Sequence, residues 1–365
     1  MNIGVTGATG FIGWHVRAGL FAGDHEFVPI TRDAFEHPEL LSEKLSSVDA
    51  LVHLAGGRRE NDEENYSSNV ELAQKLVQGL TNSAFAGPVV YVSSAAEEGD
   101  TGYGRGKREA GEILQAWADS VGSSLTTLVL PSIFGEFAPP NHHSMVSTLA
   151  HDLVVGTTTA FTSGARTELL HVTEAVRLIM DRLERPTGKK ERVSGISLTV
   201  DEVQEKLAHY LDSYRVGVFP RLDTDLERRL FNTLYSAGFH SLAPVKAVPR
   251  TDARGTLIEK VRTLSPGQCF ISTTNPGSVR GDHYHVRKIE RFMVVAGEAV
   301  IRLRKLFDDQ VLTFNVSGKE PVYIDMPTFY THNIENTGDE VVTTLFWTNE
   351  LYDTEDPDTF SEKIG

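Results

Sequence analysis

The sequence predicts two folds in series: a doubly wound parallel α/β sheet over residues 1–245, followed by an all-β barrel or jelly roll over residues 246–365. Three observations predict this. At 365 residues the chain is longer than one core usually supports. Its first half alternates short β-branched runs with amphipathic stretches of helical spacing, the order that a parallel sheet requires. After Ala243 a Pro-punctuated stretch, Pro244 to Pro249, opens a series of short runs separated by Gly, Asn, Asp and Pro, the texture of antiparallel β structure.

In the first half, Met1 to Val5, Glu26 to Ile30, Ala50 to Leu54, Pro88 to Val92 and Leu125 to Leu130 read as strands. Trp14 to Ala22, Asn69 to Leu80 and Gly106 to Val121 read as helices. The segment Asp201 to Phe239 is helical in pattern, with Thr199 or Asp201 available as a cap, and by sequence order it closes the first domain. In the second half, Thr256 to Val261, Gln268 to Thr273, Arg291 to Val295, Ala299 to Leu306 and Val341 to Trp347 read as strands, and a small barrel or jelly roll is their natural closure.

Composition narrows the function class. A formal charge of -15 without any Lys/Arg-rich run argues against a nucleic-acid partner. The lone Cys269 has no internal disulfide partner, and the chain opens on a strand-like stretch without a basic leader, so the expectation is an unprocessed cytoplasmic protein. No apolar run approaches the roughly 18 residues of a membrane span.

The first strand leads into Gly7-Ala8-Thr9-Gly10-Phe11-Ile12-Gly13 and then a helix. In that context Gly7 permits the tight turn, Gly10 lets the backbone approach a pyrophosphate, and Gly13 lets the helix pack on the strand, while the helix N-terminus offers free N–H groups to the anion. The second strand ends Ile30-Thr31-Arg32-Asp33. Arg32 suits the 2′-phosphate of NADPH, whereas Asp33 suits an unphosphorylated ribose; the reading favours NADPH.

Tyr91-Val92-Ser93-Ser94 ends a strand, and Tyr103-Gly104-Arg105-Gly106-Lys107 opens a helix soon after, with Tyr103 and Lys107 on one face. A nearby ammonium favours the phenolate and lowers a tyrosine pKa, so Tyr103 can protonate a carbonyl oxygen as hydride reaches carbon, with Ser94 holding that oxygen. Residues 1–245 thus resemble the extended short-chain dehydrogenase/reductases, which have a Rossmann-type sheet and include many nucleotide-sugar enzymes. The matching residues are the glycine loop, His53-Leu54-Ala55-Gly56, Asn69, Ser94, Tyr103, Lys107 and Pro131-Ser132-Ile133-Phe134-Gly135. The resemblance implies a catalytic set of Ser94, Tyr103 and Lys107. It also implies cofactor contacts from Gly7, Thr9, Gly10, Phe11, Ile12, Gly13, Arg32, Leu54, Ala55, Gly56, Tyr103, Lys107 and Pro131, and a sugar-nucleotide pocket lined by Asn141, His142, His143, Arg166 and His171. Only eight residues separate Ser94 from Tyr103, fewer than in many relatives, which leaves the substrate side more open.

The second half contains His283-Tyr284-His285, then Glu290, then His332. On a strand, positions 283 and 285 share a face, so two imidazoles converge, and Glu290 can join them from the turn or the next strand. Three His and one Glu suit zinc, nickel, manganese or iron. Gly277, the four candidate ligands, Gly297 and Pro327-Thr328-Phe329-Tyr330-Thr331-His332 resemble the two cupin motifs. Phe329 stands where glycine is common, a departure expected to change the local turn but leave His332 available. A metal there polarises a ketone and stabilises the enolate left when the adjacent carbon loses its proton, with Tyr284, Tyr330, a bound water or a free histidine as candidate proton carriers.

Across both halves the chain resembles the CapF-type enzymes of bacterial capsular polysaccharide synthesis, through Pro140-Asn141-x-x-Ser144, Arg254-Gly255, Gly281-Asp282-His283-Tyr284-His285, Tyr330-Thr331-His332-Asn333-Ile334 and Asp356-Pro357-Asp358-Thr359. The resemblance implies a homodimer binding NADPH and a divalent metal, zinc being the expectation. It also implies C3 epimerisation of a UDP-linked 2-acetamido-4-keto-6-deoxy sugar by the cupin and C4 reduction by the reductase, giving UDP-N-acetyl-6-deoxy-L-talosamine on the way to UDP-N-acetyl-L-fucosamine. Two alternatives stand beside it: a simple 4-ketosugar reductase whose cupin serves dimerisation or sugar binding, and a non-catalytic NADPH sensor.

Overall fold

Strand β1 (Asn2–Thr6) is buried at its last four positions, as a strand must be when helices cover both faces of its sheet. The computed structural model describes residues 1–57, 61–142, 144–247, 249–253, 255–258 and 261–365. After β1 come α1 (Phe11–Ala22), β2 (Glu26–Ile30), α2 (Arg32–Glu36), α3 (Pro38–Ser46), β3 (Ala50–His53), α4 (Asp62–Asn82), β4 (Val89–Ser94), α5 (Gly102–Val121), β5 (Leu125–Leu130), β6 (Ser132–Phe134), α6 (Met145–Val155), β7 (Arg166–His171), α7 (Val172–Glu184), β8 (Lys190–Arg192) and β9 (Ile196–Thr199).

Six of these strands form one parallel sheet in the order β2-β1-β3-β4-β5-β8. One face is covered by apolar residues of α1 and α7, with Val16, Leu20 and Ile179 on Ile3, Val5, Val52 and Val90. The other is covered by α3, α4 and α5, with Leu41, Leu45, Leu76, Leu114 and Trp117 on Leu51, Val89, Tyr91 and Leu125. From β1 the chain first builds outward to β2, then crosses to β3 on the other side, so the reversal of strand order lies between β1 and β3, where such sheets bind ligands.

Contacts divide the chain into two compact units, Met1–Phe134 with Gly164–Thr199 and Gly135–Ser163 with Val200–Gly365. Helix α6 belongs to the second unit, as do α8 (Val200–Arg215) and α9 (Asp225–Leu242), which sequence order had attached to the first domain. The helical stretch expected over Asp201 to Phe239 is interrupted after Arg215, and α9 starts afresh on a capping box of Thr224 and Glu227. Tyr214 on α8 and Tyr235 on α9 donate to the Asp325 side chain at 2.7 Å and to its carbonyl at 2.9 Å, which docks both helices on β structure.

Among the described residues, that β structure is built, beside two two-stranded sheets, mainly from two five-stranded antiparallel sheets. One runs Val245–Lys246, Val322–Met326, Glu290–Ala296, Val342–Thr348, Gln268–Thr274; the other runs Val311–Ser317, Glu298–Lys305, Tyr330–Asn336, Val279–Tyr284, Phe360–Ser361. Their inner faces meet at Phe292 and His332, whose rings are 5.5 Å apart. Of the expected strand Thr256 to Val261, the first three residues lie in Gly255–Ile258, while Glu259 and Lys260 lie outside the described residues, as does Arg254. Among the described residues no helix is long and apolar enough to cross a membrane.

Candidate active site and candidate metal centre

At the end of β1, Gly7 has φ +68° and a Cβ there would lie 2.9 Å from the backbone nitrogen of Ala55, so the turn and the close approach both require glycine. A Cβ on Gly13 would collide with the Gly7 carbonyl, which is how α1 comes to start against the loop. Gly10 caps α1 without a side-chain hydrogen bond, and no acidic residue lies in the first turn, leaving an N-terminus suited to an anion. Thr9 and Gly10 are exposed; Phe11 and Ile12 are half-buried. The Thr6 hydroxyl accepts from the N–H groups of Leu54 (3.1 Å) and Ala55 (3.0 Å) and joins His53 Nδ1 at 2.7 Å, locking the ends of β1 and β3 together. Burial, aided by the Lys107 charge, pushes the His53 pKa down to about 3, so this imidazole is neutral. Arg32 opens α2 in solvent, and the neighbouring Asp33 contacts His37 at 3.2 Å.

Ser94 is the last residue of β4, beside Leu130 and next to the buried Pro131. Its Oγ accepts from the Ala96 N–H at 3.2 Å, leaving the hydroxyl hydrogen for another acceptor. Part of the short stretch between Ser94 and Tyr103 is spent on a single 3₁₀ turn, Ala95–Glu98. Glycines 102, 104 and 106 bring the start of α5 onto its neighbours: a Cβ at the first two would collide with the carbonyls of Asp62 and Ala96, and at the third would lie 3.0 Å from Tyr66 Cα. The alternation of glycine around Tyr103 and Arg105 is the sequence signal of this close packing.

Tyr103 is half-buried on α5 and Lys107, one turn on, is buried. The Lys107 ammonium donates to the Val92 carbonyl at 3.2 Å, and its own carbonyl accepts from Tyr91 at 2.9 Å. Burial lowers its pKa to about 8, against the opposing pull of Glu97. Gly56, at φ +133°, fits between Asn69 and Lys107: a Cβ would collide with Asn69 Oδ1 and lie 3.1 Å from Lys107 Nζ. Asn69 in turn donates to the carbonyls of Asn65 (2.7 Å) and Gly57 (3.3 Å). Thus the loop after β3, the end of β4 and the face of α5 converge on one ammonium. Buried Glu97, which accepts from the Ser93 hydroxyl and pairs with Lys190, was not legible as part of this cluster.

The residues expected to line the sugar pocket are divided between the units. Arg166 is exposed at the start of β7, with a long contact to the Ser197 carbonyl, and His171 caps α7 through the Thr173 N–H at 3.4 Å. Asn141 (φ +58°) and His142 are exposed in the second unit, where the Asn141 N–H donates to Thr148 at 2.9 Å. His143 lies outside the described residues.

In the β region, His283, His285, Glu290 and His332 each bring one ligand atom to within 4.8 Å of the others. Glu290 Oε2 is the hub, 3.3 Å from His285 Nε2, 3.6 Å from His332 Nε2 and 3.9 Å from His283 Nε2. His283 and His332 are paired across adjacent strands, with a register shift at Gly281, and Glu290 opens the strand of the facing sheet. The Nδ1 atoms of His285 and His332 sit 2.6 Å and 3.0 Å from the carbonyls of Asp358 and Tyr330. Carbonyls only accept, so Nδ1 carries the proton and each Nε2 presents a lone pair. Both Nε2 atoms are buried without a hydrogen-bond partner, as suits ligands of a cation. Burial lowers the His285 pKa to about 4 and also lowers that of His332. A neutral imidazole and an ionised carboxylate are the metal-binding forms.

Phe329 stands at the position where glycine is common. It takes the left-handed conformation itself (φ +63°), its N–H donating to the His285 carbonyl at 2.7 Å while its buried ring meets Phe137 at 6.1 Å. A cavity of about 180 Å³ beside the cluster is lined by His283 and Glu290 together with Gln268, Lys288, Tyr352 and Thr359 among others. Neither Tyr284 nor Tyr330 lines it: Tyr284 is stacked on Phe360 at 5.2 Å, and Tyr330 is buried against Phe239 and Phe137.

Residues 3–194 match the NAD dependent epimerase/dehydratase family, and residues 250–360 match the polysaccharide biosynthesis C-terminal domain. The chain is 31% identical, over its full length and 99% of the relative's, to a UDP-2-acetamido-2,6-beta-L-arabino-hexul-4-ose reductase of Pseudomonas aeruginosa. Among solved structures it is similar to the capsular polysaccharide assembling protein CapF of Staphylococcus aureus, with TM-score 0.64, 29% identity and full coverage of both chains. A UDP-glucose 4-epimerase of Thermotoga maritima, at TM-score 0.56 and 16% identity over 66% of this chain and 99% of the epimerase, shares the fold. The chain therefore belongs to the NAD dependent epimerase/dehydratase family, as a CapF-type member that carries a polysaccharide biosynthesis C-terminal domain.

Proposed function

We propose that residues 1–245 form an NADPH-dependent reductase and residues 246–365 a metal-dependent cupin epimerase, acting in turn on one UDP-linked 2-acetamido-4-keto-2,6-dideoxyhexose in a cytoplasmic homodimer. Inversion at C3 and then reduction at C4 give UDP-N-acetyl-6-deoxy-L-talosamine, a precursor of UDP-N-acetyl-L-fucosamine. The observation that carries this reading is the full-length likeness to a reductase whose name specifies a UDP-linked hexul-4-ose.

In the reductase, the glycine loop and the start of α1 hold the pyrophosphate, and Arg32 meets the 2′-phosphate. Reduced nicotinamide supplies the hydride that becomes the new C4–H. Tyr103 gives its phenolic proton to the ketone oxygen, Ser94 donates a hydrogen bond to the same oxygen, and Lys107 keeps a positive charge beside the tyrosine. Asn141, His142, His143, Arg166 and His171 are the proposed sugar-nucleotide contacts.

In the cupin, His283, His285, Glu290 and His332 would hold the cation, with zinc best suited to a donor set of three imidazoles and one carboxylate. Bound there, it supplies Lewis acidity toward a carbonyl oxygen. The order of reactions follows from the ketone: C4=O acidifies the C3 hydrogen, and that activation vanishes once C4 is reduced. The test is an NMR time course with the 4-keto UDP-sugar in deuterated water, with and without NADPH. Deuterium at C3 before any NADPH is consumed supports the reading; reduction without exchange, or exchange that survives chelation and removal of the ligands, overturns it.

A further inference from the structure

We propose that Lys288 is a further catalytic residue of the cupin, its ammonium donating a hydrogen bond to the sugar oxygen that gains negative charge as the adjacent C–H bond breaks. This rests on the epimerase reading above. Lys288 is 5% exposed, yet it lines the cavity that His283 and Glu290 also line. Its Nζ is 3.0 Å from the Pro357 carbonyl and 3.1 Å from Thr359 Oγ1, both on the C-terminal segment that also carries Asp358. Glu290 Oε1, at 3.9 Å, is beyond hydrogen-bond distance, and the Tyr352 ring centroid is 5.8 Å away. An ammonium has three donors; two are fixed by the C-terminal segment, and the third is available to an acceptor in the cavity. The neighbouring Arg287 is spent on Glu350 and Asp356.

A buried donor held by two hydrogen bonds is already oriented before charge develops, which is what oxyanion stabilisation requires. The cavity volume, about 180 Å³, is below the roughly 300 Å³ of a site for a drug-sized ligand. In the step, the C3–H bonding pair becomes the C3–C4 double bond and the carbonyl π pair moves to oxygen. Lys288 hydrogen-bonds that oxygen and keeps its own proton, while the C3 proton leaves to water. Reprotonation from the other face completes inversion.

The test is C3 deuterium incorporation by the full chain loaded with zinc, for the native protein and for Lys288→Met, Lys288→Arg and Thr359→Val. Lys288→Met is expected to keep zinc stoichiometry and melting temperature and to lower kcat about 10²–10³-fold, the loss typical of removing one oxyanion donor, with KM changed only a few-fold. Lys288→Arg recovers part of the loss, and Thr359→Val, which keeps the ammonium but removes one of its two braces, loses less activity than Lys288→Met. Native-rate exchange by Lys288→Met overturns the proposal, and so does a Thr359→Val loss as large as that of Lys288→Met, or recovery of Lys288→Met with excess zinc. Absence of exchange in the native protein instead removes the epimerase reading, and this proposal with it.

Discussion

His285 Nδ1 lies 2.6 Å from the main-chain carbonyl oxygen of Asp358, a contact made across 73 residues of sequence. The Asp358 carboxylate is held in turn by the N–H groups of Val286 (3.1 Å), Arg287 (3.1 Å) and Lys288 (2.9 Å), so the segment that fixes the imidazole is itself fixed to the turn after it. Burial raises the Asp358 pKa to about 6, against the pull of those N–H groups. Asp358→Ala removes the anchor. Zinc affinity, read by competition with a chromogenic chelator, is expected to fall about 10–100-fold, the usual cost of losing an outer-shell partner, while NADPH binding is unchanged. Unaltered zinc affinity would show that the C-terminal segment does not orient His285.

Two variants separate the two chemistries. Tyr103→Phe removes the proposed proton donor and is expected to abolish ketosugar-dependent NADPH oxidation while leaving C3 exchange intact. His283→Ala, which removes a proposed ligand from a different compact unit, should abolish exchange and leave NADPH binding as it was. Loss of both activities from either change would contradict independent sites.

The proposed site residues that are legible in the sequence are those placed by short spacing. Gly7 to Gly13, Tyr103 with Lys107, and His283 with His285 are each set by one turn or one strand, and the strands Glu26–Ile30 and Leu125–Leu130 have the ends expected. What it hid depends on distant pairing. Tyr330–Asn336 was read only as a ligand motif because its burial is continuous and does not alternate, a pattern that follows from packing on both sides. Asp358 figures in the sequence only within Asp356-Pro357-Asp358-Thr359, and its contacts with backbone N–H groups some seventy residues earlier appear only on folding. Nothing in the local spacing singles out Glu97, and only folding buries it beside Ser93.

Arg291 and Asp325 form a buried two-pronged ion pair, Nε to Oδ1 at 2.7 Å and Nη2 to Oδ2 at 2.8 Å, with the guanidinium 3.9 Å from the Tyr323 ring centroid. Asp325 also receives the Tyr214 hydroxyl, so removing the arginine leaves a buried carboxylate and loosens α8. Arg291→Ala is expected to lower unfolding free energy by about 3–5 kcal/mol, read by urea denaturation of the second unit's tryptophan signal. Because Arg291 follows Glu290 on the strand, zinc affinity should fall with it. A loss below about 1 kcal/mol, the size of an exposed pair, would mean the pair is not dry.

In the proposed reductase, Lys107 is expected to set an alkaline limit. Its pKa is near 8 in the folded chain against 10.5 for an ordinary lysine, so between those values the folded state binds fewer protons than the unfolded one. Stability therefore rises with pH across that window as far as this group is concerned, and below pH 8 the full cost of burying the ammonium is present. Lys107→Met removes that cost, so the variant should be the more stable at pH 7, with the gap narrowing from pH 8 to 10.5 in denaturant titrations. Activity runs the opposite way. The charged form keeps the Tyr103 proton transferable, so kcat/KM for NADPH oxidation should break downward near pH 8 in the native protein. Glu97, whose charge favours the ammonium, sets where that break falls; Glu97→Gln should move it to lower pH. A profile flat to pH 10, or a break that Glu97→Gln leaves in place, would separate Lys107 from the proton transfer and return it to a purely structural part in joining α5 to β4.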